Sequence, residues 1–65
     1  MQLTINGEKK EIKAATVADL LASLGIDSDQ VAVECNLEIV PKSRWHTAAL
    51  AGGDAIEIVE FIGGG

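Results

Sequence analysis

Apolar and polar positions alternate from the first residue. Met1, Leu3 and Ile5 fall on one side and Gln2, Thr4 and Asn6 on the other, the period of a half-buried strand. Asn6 and Gly7 both tolerate positive φ, which predicts a tight hairpin turn. Residues 10–14 then return as a second strand, with Ile12 and Ala14 inward and Glu11 and Lys13 outward. At Thr16 the period changes. Val17, Leu20, Leu21 and Leu24 stand at i, i+3, i+4 and i+7, one apolar stripe of a helix. Thr16 followed three residues later by Asp19 reads as a capping-box-like start. Gly25 stands where a left-handed residue closes a helix, and Ile26 can fold back onto Leu21.

The second half returns to strand periods. Val31, Val33 and Cys35 share one face, with Ala32, Glu34 and Asn36 on the other. A turn at Asn36 leads into a strand over residues 37–40, which Pro41 ends because it cannot donate a ladder hydrogen bond. Residues 43–45 fit a short helical turn, Trp45 an anchor over the core edge, and a short edge strand follows before residue 50. Gly52-Gly53-Asp54 is a turn. Residues 55–61 form the last strand, with Ile56 and Ile58 on one face. One helix on one face of a mixed sheet of four to five strands is an α+β layer arrangement. A hairpin, a crossover helix and a returning half predict a β-grasp, with the first and last strands side by side in its centre.

Length limits what such a fold can do. Sixty-five residues make one domain, with about 60% of the unfolded chain's surface buried and a radius of gyration of roughly 11 Å. That leaves little room for a deep, dry active site and points to a binding module or carrier. Ten acidic residues oppose five basic ones, a net charge of −5, and Trp45 and Phe61 are the only aromatics. A nucleic-acid backbone is therefore an unfavourable partner. A single cysteine cannot form an internal disulfide, the N-terminus lacks the pattern of a signal peptide, and no apolar run reaches bilayer length. A soluble, cytoplasmic protein is expected.

The side chains offer little chemistry. Cys35 falls on an apolar strand face and reads as a structural cysteine. His46, the one histidine, reads as a solvated loop residue, and one Cys with one His does not make a metal site. The informative feature is the end, Phe61-Ile62-Gly63-Gly64-Gly65. With background glycine at about 7%, two terminal glycines arise by chance about 0.5% of the time. Without side chains, Gly63, Gly64 and Gly65 are expected to form a flexible tail beyond a domain of residues 1–62, narrow enough to thread into another protein's active site. The Gly65 carboxylate is a poor electrophile. Activation as an acyl-adenylate from ATP lets a sulfur or nitrogen nucleophile displace AMP. If Ile56 and Ile58 face the helix, Val59 and Phe61 face the open side of the sheet and form, with Ile62, a docking patch beside the tail.

These residues together resemble the thiamine-biosynthesis sulfur carriers, a family of ubiquitin-like β-grasp proteins. The resemblance runs through Leu3-Thr4-Ile5-Asn6-Gly7, Thr16-Val17-Ala18-Asp19-Leu20-Leu21, Val31-Ala32-Val33-Glu34-Cys35-Asn36, Ile39-Val40-Pro41-Lys42 with Trp45, Gly53-Asp54-Ala55-Ile56-Glu57-Ile58-Val59 and the terminal Gly64-Gly65. It implies that an E1-like adenylyltransferase activates Gly65 with ATP and Mg²⁺, neither of which the carrier binds itself. Sulfur from a cysteine-derived persulfide then makes a thiocarboxylate, and thiazole synthase takes that sulfur for thiazole formation. The carrier is then a co-substrate and not an enzyme. Two alternatives share the tail: the small sulfur-carrying subunit of molybdopterin synthase, and a ubiquitin-like protein modifier.

Overall fold

The first turn sets the frame of the sheet. In the computed structural model, which describes residues 1–61, Asn6 and Gly7 take φ values of +49° and +83°. That is the mirror-image geometry whose twist matches a two-residue hairpin loop. Strand β1 (Gln2–Ile5) therefore pairs at once with β2 (Glu8–Glu11), Ile5 opposite Glu8 and Gln2 opposite Glu11. The second strand thus lies earlier than the expected residues 10–14. All four of its residues are exposed, as befits an edge strand. Ile12 is buried beyond the strand end, where its N–H donates to the Met1 carbonyl at 2.8 Å, and Ala14 is half-buried.

Helix α1 (Val17–Ser23) begins and ends as its sequence predicts. The Thr16 hydroxyl accepts the Asp19 N–H at 3.2 Å. The Asp19 carboxylate reaches back to the Ala15 N–H at 3.3 Å, one residue beyond the Thr16 N–H that a true capping box would engage. At the other end Gly25 has φ +70°, a conformation that costs a side-chain-bearing residue energy. Its N–H reaches the Ala22 carbonyl, and the Ile26 N–H the Leu21 carbonyl, both bonds of a Schellman closure. Val17, Leu20 and Leu21 are fully buried, and Leu24 and Ile26 pack at the margin. Burial of each such leucine contributes about 2 kcal/mol.

After a short 3₁₀ turn (Ser28–Gln30), β3 (Val31–Cys35) turns through Asn36 and Leu37 into β4 (Glu38–Ile39). This hairpin also uses a two-residue loop, with φ +52° at Asn36 and +71° at Leu37. The fourth strand is shorter than the expected residues 37–40 because the loop consumes Leu37. A second 3₁₀ turn (Lys42–Arg44) precedes Trp45. The edge strand expected before residue 50 is absent: a single bridge, Thr16 with Ala49, stands in its place. The segment instead serves the helix start, whose first N–H groups have no partner within the helix. Val17 N–H donates to the Ala48 carbonyl and Ala18 N–H to that of Trp45. Trp45 is 4% exposed, deeper than an edge anchor, and its indole N–H donates to the Val40 carbonyl at 2.8 Å.

Strand β5 (Ala55–Glu60) enters the centre, parallel to β1 and antiparallel to β3, giving the order β2-β1-β5-β3-β4. Two asparagine side chains hold it. The Asn6 carboxamide accepts the Ile58 N–H at 2.7 Å and donates to the Ile58 carbonyl at 3.2 Å. On the opposite flank, Asn36 Oδ1 accepts the Ala55 N–H at 2.9 Å. Leu3, Ile5, Val31, Val33, Ile56 and Ile58 meet the helix residues and Trp45 in one core. The topology is the β-grasp, with a Cα radius of gyration of 11.1 Å.

Candidate functional site

The alternation in β5 sorts its side chains between two environments. Ile56 and Ile58 enter the core, while Glu57 and Val59 lie on the opposite, uncovered face. Val59 is 54% exposed and Phe61, one residue past the strand, is 59% exposed. Both sit where the sequence predicts an apolar patch. Neighbouring positions extend it: half-buried Ala32 lies opposite Val59, and exposed Ile39 opposite Glu34 on the β3–β4 edge. Glu34 and Glu57 face each other across the same ladder, so the face combines apolar contact area with negative charge. The Phe61 N–H donates to the Gln30 carbonyl at 2.7 Å, which fixes the chain direction at the last described residue. Ile62, the third residue of the expected patch, and Gly63, Gly64 and Gly65 lie outside the described residues.

Cys35 is half-buried on the core face of β3. Burial pushes its thiol pKa up, and the carboxylates of Asp54 and Glu38 push it further in the same direction. Since the thiolate is the reactive form, this environment suppresses nucleophilic chemistry. His46 is exposed after Trp45. Among the described residues, no three His, Cys, Asp or Glu side chains come together as metal ligands, and no helix is long and apolar enough to cross a membrane. What these residues offer is an uncovered, partly apolar sheet face that runs to Phe61, the last described residue.

Sequence reasoning did not find the contributions of Ile39, Asn6 and Asn36. The signal for Ile39 was present in the alternation after the turn. The asparagine contacts required knowing which strands are neighbours.

The sequence profile of the ThiS family matches residues 3–65. The sulfur carrier protein ThiS of Bacillus subtilis is 45% identical over 97% of this chain and 98% of its own length. A thiazole synthase of Paramagnetospirillum magneticum is 58% identical over the whole of this chain, which spans only 20% of that enzyme's length. The crystal structure of the thiamine biosynthesis protein ThiS from Geobacter metallireducens superimposes with a TM-score of 0.85 at 33% identity, covering both chains completely. A β-grasp of matching length, its last strand central and its sequence matched to the final glycine, belongs to the ThiS family.

Proposed function

We propose that this chain is a sulfur carrier for thiazole formation in thiamine biosynthesis, acting in the cytoplasm as a protein co-substrate and not as a catalyst. The observation that carries the reading is the continuity of a family match through Gly65 with a fold whose central strand ends at that tail. The Gly65 carboxylate attacks the α-phosphate of ATP on an E1-like adenylyltransferase, and pyrophosphate leaves. ATP and Mg²⁺ belong to that enzyme. The terminal sulfur of a cysteine-derived persulfide attacks the acyl-adenylate and displaces AMP, giving an acyl disulfide. A thiol then attacks the donor cysteine's side of that S–S bond, forms a disulfide with it and releases the Gly65 thiocarboxylate, which thiazole synthase consumes. The long thiazole synthase that resembles this chain over one fifth of its length supports that enzyme as a partner.

In this reading Gly63 and Gly64 thread through narrow entrances, because they lack side chains, while Val59, Phe61 and Ile62 hold the carrier on its partners. Burial of an aromatic anchor in a partner pocket is a common source of binding energy. The test is ATP–pyrophosphate exchange catalysed by the activating enzyme. The full chain supports exchange, and the chain lacking Gly65 does not. Phe61→Ala folds normally, since Phe61 is outside the core, and raises KM about tenfold or more. Exchange that persists without Gly65 refutes the proposal, and an unchanged KM removes Phe61 from the docking face.

A further inference from the structure

The two flanks of β5 are unequally satisfied. Toward β3, its hydrogen bonds use alternate residues: the Asn36 N–H donates to the Ala55 carbonyl at one end, and the Phe61 N–H to the Gln30 carbonyl at the other, both at 2.7 Å. Backbone groups alternate in direction along a strand, so Ile56, Ile58 and Glu60 turn theirs toward the β1 side. There the Ile56 carbonyl accepts the Asn6 N–H at 2.9 Å, and both backbone groups of Ile58 are taken by the Asn6 carboxamide. β1 has by then turned away. The N–H and C=O of Glu60 face this side with no partner among the described residues. Two surface grooves of ≈ 270 and ≈ 370 Å³ meet at this point and share Ile26 and Glu60. The first has an apolar floor of Ile5, Leu24 and Ile58, and the second opens toward Phe61.

We propose that the vacant backbone pair of Glu60 accepts a short extended segment of the activating enzyme, added to β5 in the place that β1 gives up. This rests on the carrier reading above. A donor and an acceptor on one residue of a strand are matched by the N–H and C=O of one residue on an antiparallel incoming strand. The apolar floor suits an apolar side chain on that segment. The rim carries Glu8, Asp27 and Glu60 against a single Lys10, which favours a basic residue beside it. The position also explains why the enzyme engages here. Glu60 lies five residues before Gly65, so at most about 18 Å of extended chain separates this contact from the carboxylate. A strand added at Glu60 fixes the direction and register in which the tail leaves the sheet. An exposed edge one residue long is also too short to template aggregation.

Cys35 makes a direct test possible, because residues 35–65 can be synthesised and ligated to residues 1–34 at that cysteine. The full chain is prepared with its ordinary backbone and with an ester replacing the amide N–H of Glu60. The ester protein is expected to match the all-amide protein in circular dichroism, since the Glu60 N–H has no partner within the described fold. Its urea midpoint drops slightly because the ester weakens the Val59 carbonyl that faces β3, so KM is compared where both proteins are fully folded. Its KM in ATP–pyrophosphate exchange rises roughly fivefold, the effect of one lost hydrogen bond. In the all-amide protein, hydrogen exchange at Glu60 is fast and becomes protected when the activating enzyme is added. An unchanged KM or unprotected Glu60, with the all-amide chain fully activated, overturns the strand addition and leaves the carrier function standing. An all-amide chain that is not activated overturns the carrier reading itself.

Discussion

Asn6 performs two tasks with one residue. Its backbone adopts the left-handed conformation of the hairpin loop, and its carboxamide satisfies both backbone groups of Ile58. Asn6→Ala loses both tasks and is expected to destabilise the fold by about 2 kcal/mol, on the scale of two net hydrogen bonds. Urea denaturation measures this, and a loss below a few tenths of a kcal/mol contradicts the clamp. Asp54 acts on the other flank, where its carboxylate accepts the Ala51 N–H at 2.8 Å and an N–H of the Asn36 side chain at 3.0 Å. These bonds hold its pKa below the ordinary 3.8. A carboxylate lowered on folding stabilises the fold fully above its unfolded value, and that stabilisation is lost as pH falls through the folded value. Melting temperature is therefore expected to fall as pH drops below 3.8. Asp54→Asn should flatten this acid limb, and an equally steep limb in the variant would contradict the role given to Asp54. Sequence inspection predicts the turn at Asn6-Gly7 from local chemistry, but neither side-chain clamp, because each spans strands far apart in the chain.

Among the elements, the helix was the most legible. Its start, stripe and stop are all local signals: a hydroxyl before the first turn, apolar residues at helical spacing, and a glycine after the last. Leu20 lies at the centre of that stripe and is fully buried. An unpaired carboxylate there costs several kcal/mol. That matches the whole stability of so short a chain, about 3–10 kcal/mol. Leu20→Asp is expected to abolish the cooperative urea transition at 25 °C, and a retained transition contradicts the core assignment. The edge strands were less legible for a physical reason. β2 reads Glu-Lys-Lys-Glu and buries nothing, so no hydrophobic period marks its limits. The segment 46–50 contains apolar residues because Leu50 enters the core and its backbone serves the helix start, not because it pairs as a strand. The patch at Val59 and Phe61 was legible because it follows from the alternation that buries Ile56 and Ile58.

At the scale of the molecule, the fold separates the tasks of stability and delivery. The core lies between one sheet face and the helix, and the other face, with Val59, Phe61, Ile39 and the acidic pair Glu34 and Glu57, is left uncovered, the face proposed above for docking. The last strand, β5, is the central one of the five, with β1 and β3 on its two sides. The parallel pairing of β1 with β5 joins the two ends of the sequence, and this arrangement follows from the order of strands and the single crossover helix. The central claim is that Gly65 receives sulfur. Intact-mass analysis after incubation with the activating enzyme, ATP, a persulfide donor and a thiol reductant tests it most directly. The full chain is expected to gain the mass difference of one oxygen exchanged for one sulfur, confined to the C-terminal fragment, while the chain without Gly65 keeps its mass. A full chain whose mass is unchanged with competent enzymes, or a truncated chain that gains the same increment, would contradict the account.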